Sequence, residues 1–223
     1  MHPIINYIRQ ALQDQANLAQ APAMQAYMKS EMPYRGVKSA VQKQIQSAAL
    51  KAYPVEGFAD YISVIDTLWD AEYREERYAA IGVARRVKKF QTLEALPIYR
   101  MMIETGAWWD YVDSIAADLI GAILQRYPYE MKPELRAWID DDHLWIRRSA
   151  LLAQLRFKAE TDERMLFEFC EKRLDESSFW IRKAVGWALR EYSKTAPDAV
   201  RAFFQRYQER MSGVTKREVV KYI

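Results

Sequence analysis

The chain has 223 residues, enough for one sizeable domain or two small ones; with half of them apolar and 28% charged, it reads as a folded globular chain rather than a disordered one. No apolar run approaches the ~20 residues a membrane-spanning helix needs. Net charge is only +3, yet residues 1–142 hold 16 Lys+Arg against 19 Asp+Glu (−3) while residues 143–223 hold 17 against 11 (+6), so the C-terminal third points to a polyanionic partner.

The first segment, MHPIINYIRQALQDQ, carries a polar residue every few positions and no small-residue cleavage site, which excludes a secretory signal. EERYAAIGVARR (75–86) is the first segment in which a repeat register is visible. WWDYVDSIAADLIGAIL (108–124) is a helix: at about 100° per residue, Trp108, Val112, Ile115, Leu119 and Ile123 form its core face. Asp110, Ser114, Asp118 and Gln125 fall opposite, as solvated positions. Trp109 and Asp113 stack one turn apart on the flank between. An acidic turn, 140–142, precedes a helix expected from His143 to Phe157, and DERMLFEFCEKRL (162–174) comes next with Met165, Leu166, Phe169 and Leu174 at helical spacing. Cys170, the single cysteine, excludes an intramolecular disulfide, reads as a buried small hydrophobe, and fits a reducing cytoplasm. Asp175–Ser178 supplies capping side chains for the helix after it, and Pro197 suits the first turn of a further one.

HLWIRRSALLAQLR (143–156) and SFWIRKAVGWALRE (178–191) match at an offset of 35, with Trp145 on Trp180 and Arg147 on Arg182. The same step backwards from Arg147 reaches Val112 and then Arg77. With no period-2 alternation bounded by turns, the expected fold is an all-α solenoid of stacked helix pairs, and no Gly-, Ser- or Pro-rich linker divides residues 1–223, read as a single domain. In the repeat register Asp113, Arg148 and Lys183 follow one another along one flank. On the last of these helices Lys183, Trp187, Arg190 and Lys194 set an aromatic among cations, the composition wanted beside a phosphate backbone. A solvated basic face with Trp187 in the core reads equally well from the residues alone.

WWDYVD (108–113), WIRRSAL (145–151), WIRKAVGWALREY (180–192), MPYRGVKS (32–39) and TKREVVKYI (215–223) together resemble the AlkD family of bacterial DNA alkylation repair enzymes over essentially the whole chain. That resemblance implies a right-handed HEAT-like solenoid with a concave basic groove. It implies an alkylpurine DNA glycosylase that hydrolyses the N-glycosidic bond of N3- and N7-alkylated purines in duplex DNA. Trp109, Asp113 and Trp187 would form the catalytic cluster and Arg148 would hold backbone phosphate; Arg190 and Arg156 would add backbone contacts, with Lys183 and Lys194 on the same basic stripe. Tyr27 is a weaker correspondence, in less distinctive surroundings. The one departure is the end at Ile223, inside an apparently helical pattern, as for a short last helix or a missing tail.

The chemistry suits those residue types. A cationic purine leaves as a neutral base, so the sugar's developing oxocarbenium charge needs an anion and ring faces rather than a strong acid. His2 and His143 with one cysteine make no zinc site, and no Gly-rich phosphate loop or Schiff-base lysine is indicated. The expectation is a cofactor-free, monomeric hydrolase that leaves an abasic site without cutting the strand. The competing readings are a non-catalytic DNA-binding paralogue, argued against by the intact Trp109, Asp113, Arg148 and Trp187 set, and a HEAT-type protein scaffold.

Overall fold

A computed structural model describes all 223 residues, and every regular element in it is helical. The α-helices are α1 (Pro3–Asp14), α2 (Ala21–Met28), α3 (Ser39–Ala52), α4 (Phe58–Trp69), α5 (Arg74–Arg86), α6 (Leu96–Gly106) and α7 (Trp109–Ile115). After α7 come α8 (Gly121–Arg126), α9 (Pro128–Trp138), α10 (Leu144–Leu152), α11 (Glu163–Lys172), α12 (Phe179–Ser193), α13 (Pro197–Tyr207) and α14 (Gly213–Val219). No helix is long and apolar enough to cross a membrane. Contacts group the chain into two compact units, Met1–Ile98 and Tyr99–Ile223.

In the first unit, α1 buries Ile4, Ile5, Ile8 and Leu12 at helical spacing and packs on α3, α4 and α5. The MPYRGVKS segment is bound to α5 through Glu75, a fully buried carboxylate. It accepts the backbone N–H groups of Arg35 (3.0 Å), Gly36 (2.9 Å) and Val37 (3.1 Å). Gly36 has φ +81°, and a Cβ there would lie 2.1 Å from the Asn17 carbonyl, so the turn requires glycine. That motif thus anchors a loop.

In the second unit the 35-residue register is visible as a repeated contact. Arg147 donates Nη1 to the Asp141 carbonyl at 2.7 Å, and Arg182 donates Nε to the Glu176 carbonyl at 2.6 Å, each folding back on the turn before its own helix. Arg77 does the same in the first unit, to the Trp69 carbonyl at 3.0 Å. Asp162 caps α11 by accepting from Met165 N, and Met165, Leu166, Phe169, Cys170 and Leu174 are buried as the spacing predicts. Burial raises the Cys170 thiol's pKa, leaving it an inert core residue. Pro197 opens α13.

Three expectations need correction. The helix from His143 gives way to turns from Ala153 instead of reaching Phe157, as the Gln154 amide turns inward to bond both the N–H (2.7 Å) and the carbonyl (3.2 Å) of Asp162. Ser178 is the N-cap of α12 without a side-chain hydrogen bond, and Arg182 binds that turn instead. Finally, α7 does not run on as an α-helix: residues Ala116–Ile120 form a π segment, with Gly121 N–H bonded to the Ala116 carbonyl, before α8 resumes. Val112, Ile115, Leu119 and Ile123 remain fully buried, but the π turn shifts the register of the residues beyond it. Asp110, Ser114 and Asp118 are half-buried rather than solvated, and only Gln125 is open.

Candidate active site

The second unit contains an open cleft of about 550 Å³ lined by Trp109, Asp113 and Trp187, with Asp110, Arg156 and Glu191 among its other walls. Residues 78 apart in sequence thus meet around one space, each from a different helix position. Trp109 opens α7, Asp113 stands one turn on, and Trp187 comes from the middle of α12. Both indoles are half-buried, presenting ring surface to the cleft.

Two of the three non-glycine residues with positive φ, and the π segment, lie in or next to the cleft; the third, Lys29, ends α2. Ala107, two residues before Trp109, has φ +38°; Lys158, in the cleft wall, has φ +52°; and the π segment starts three residues after Asp113. Non-glycine residues held in the left-handed region cost about 1–3 kcal/mol each and persist where surrounding structure imposes them, commonly at functional sites. π turns have the same association.

Asp113 is held by Arg148. Nε donates to Oδ1 at 2.7 Å and Nη2 to Oδ2 at 2.8 Å, a bidentate pair, while Nη1 donates to the Trp180 carbonyl at 2.5 Å. Three tryptophan rings, Trp108, Trp145 and Trp180, pack on one another at 5.3–6.2 Å between centroids, and Arg148 lies 5.9 Å from the Trp180 ring. Burial pushes the Asp113 carboxyl above the ordinary carboxylate range, with the charge of Asp110 adding to the push, while the hydrogen bonds and charge of Arg148 oppose it. Arg148 takes one lone pair on each oxygen; the remaining lone pairs of a carboxylate that still lines the cleft are left for a ligand or water.

The resemblance assigns Arg148 to phosphate; in the structure its side chain is 3% exposed and its guanidinium is committed to Asp113 and Trp180. The other cations are carboxylate-paired but open. Arg156, 62% exposed, lies 2.5 Å from Asp118, which sits within the π segment. Lys183 and Arg190 both bind Glu218 of α14, joined by Lys221 at 3.1 Å. Lys194 bonds Glu191 at 2.7 Å and lies 5.2 Å from the Tyr222 ring. Tyr27, on α2 of the first unit, is 77% exposed. Sequence reasoning missed Glu218, although its signal was present: it is 35 residues after Lys183, the same step that separates Asp113 from Arg148.

Residues 8–223 match the family described as DNA alkylation repair enzyme. Among solved structures, the chain is similar to a predicted DNA alkylation repair enzyme from Enterococcus faecalis, with 27% identity, a TM-score of 0.86, and coverage of 94% of this chain and 97% of that one. It shares its fold with AlkD2 from Streptococcus mutans, at 16% identity and a TM-score of 0.68 over 99% of each chain. No curated protein matches it in sequence. With the family match spanning nearly the whole chain, this protein belongs to the DNA alkylation repair enzyme family.

Proposed function

We propose that this chain is a monomeric alkylpurine DNA glycosylase acting on cationic N3- and N7-alkylpurines in duplex DNA. The observation that carries the reading is the meeting of Trp109, Asp113 and Trp187 around one cleft in a member of this family. The exposed cations Arg156, Lys183 and Lys194, with Arg190 beside them, suit the phosphates on either side of the lesion, and Tyr27, exposed on α2, is by itself a candidate DNA contact.

In the reaction the C1′–N9 bond breaks heterolytically. Its electron pair passes to the purine, which leaves neutral, and positive charge develops on the deoxyribose. The Asp113 carboxylate opposes that charge, and the Trp109 and Trp187 ring faces add about 0.5–2 kcal/mol each. Water adds at C1′ and gives up its proton through a free lone pair of Asp113, leaving an abasic site. Arg148 acts through Asp113, fixing both oxygens so that the carboxylate meets the sugar in one orientation. No amine attacks C1′ in this scheme, so the strand stays intact.

The test is base release from a duplex carrying one N7-methylguanine, comparing the parent with Asp113→Asn. Release above the spontaneous rate, falling about 10²–10³-fold in the variant, is the expected result. No release by the parent, with salt-sensitive DNA binding intact, would replace this reading with a non-catalytic DNA-binding one.

A further inference from the structure

Building on that reading, we infer that Glu191 is a specificity-determining residue: its carboxylate recognises the positive charge of the alkylated nucleotide before the bond breaks. The argument starts from the charge of the cleft. The chain is most basic in its last third, yet the cleft wall itself presents three carboxylates, Asp110, Asp113 and Glu191, beside two cations, Arg156 and Lys158, while Arg148 and Lys194, which pair with Asp113 and Glu191, are not part of the lining. A cavity built for phosphate would present cations, not carboxylates, at its wall. Carboxylates combined with two indole faces favour a cation, and a basic surround favours a polyanion. A ligand satisfying both is a nucleic acid carrying a local positive charge.

Among the three acids, Asp113 is committed to Arg148 and to the reacting sugar. Glu191 stands four residues after Trp187 on α12, hence on the same face one turn along, and lines the cleft with it. It also lines an adjoining hollow of about 210 Å³, with Tyr192, Lys194 and Thr195. Glu191 thus borders both spaces, together with Leu155 and Lys158. Lys194, bonded to it at 2.7 Å, holds the side chain in place while leaving the second carboxylate oxygen for another donor. In the 35-residue register Glu191 is the counterpart of Arg156, and both line the cleft: one repeat contributes a cation, the next an anion.

The experiment measures binding, with Asp113→Asn as background so that the lesion survives. Affinity is compared for a duplex carrying one N7-methylguanine and for the same duplex unmodified, at fixed salt. Adding Glu191→Gln is expected to shrink the preference for the lesion about 3- to 10-fold, as loss of one partly screened charge contact would. Binding of the unmodified duplex should hold or tighten, since an anion has been removed. Glu191→Asp, which keeps the charge, should restore most of the preference. The inference is overturned if the preference is unchanged in Glu191→Gln, if both duplexes weaken equally, if Glu191→Asp behaves like Glu191→Gln, or if the Asp113→Asn background shows no preference at all. Failure of the glycosylase reading itself appears separately, as absence of base release by the parent protein.

Discussion

Arg148 donates two hydrogen bonds to Asp113, one to each carboxylate oxygen, at 2.7 and 2.8 Å, from a position 35 residues later in the chain. The pair places a guanidinium behind a carboxylate that faces a cleft, so Arg148 acts on whatever Asp113 acts on. Their side-chain exposures, 3% for Arg148 and 12% for Asp113, make this an interior ion pair with one working edge.

Arg148→Ala should therefore depress base release about as strongly as Asp113→Asn does, while leaving the salt dependence of DNA binding unchanged. It should also destabilise the fold by about 3–5 kcal/mol, because Asp113 is left buried and unpaired. Arg148→Lys keeps the charge without the planar fork and should recover stability better than rate. A reduced salt slope in Arg148→Ala would instead put this side chain on phosphate.

The raised pKa of Asp113 gives a pH signature. The ionised carboxylate is the working form, so the rate should fall as pH drops through a pKa above the usual carboxylate range. Asp113→Asn should lack that limb. For stability the sign is the reverse: a carboxyl whose folded pKa is raised is most favourable to the fold when protonated, and that contribution is lost as pH rises through it. A rate profile whose acid limb lies within the ordinary range would mean that Arg148 outweighs burial.

Trp187→Ala and Trp109→Ala should each slow base release by about 2- to 30-fold, the rate equivalent of one lost ring-face contact with a cation. Single-turnover release at saturating enzyme measures this directly. Rates within error of the parent would remove the rings from the transition state.

Arg156 is an exposed cation of the cleft wall, tethered by its partner Asp118. Arg156→Ala should weaken binding to all duplexes alike and lower the slope of log affinity against log salt by about one. An unchanged slope would take Arg156 off the backbone.

Glu218 collects Lys183, Arg190 and Lys221 with its own side chain only 5% exposed. Burial pushes its carboxyl up, but the hydrogen bonds of Lys183 and Lys221 and the charges of Arg190 and Lys183 outweigh this and hold it below the ordinary range. A depressed folded pKa contributes stability above the unfolded value, lost as pH falls through the folded one. Melting temperature should accordingly fall on acidification more steeply in the parent than in Glu218→Gln, and equal slopes would remove this cluster as the cause.

The sequence by itself determined the helical class and the 35-residue register, because amphipathic spacing is a local property that survives in a linear string, while the candidate trio of Trp109, Asp113 and Trp187 came from resemblance to a family. The sequence also located the buried face of the 109–126 stretch through Val112, Ile115, Leu119 and Ile123, whereas Trp108, expected on that face, is the half-buried N-cap of α7. Tertiary structure alone decided what each charge does. Arg148 and Lys183 occupy equivalent positions as cations, yet stacking of successive repeats buries the first against Asp113 and leaves the second at the surface with Glu218. The wheel placed Asp110, Ser114 and Asp118 in solvent, yet all three are half-buried, two of them ahead of the π segment, so surrounding packing and not helix phase decides their exposure. A side chain's partner lies on the neighbouring repeat, and desolvation depends on everything packed around it; neither can be read from spacing within one helix.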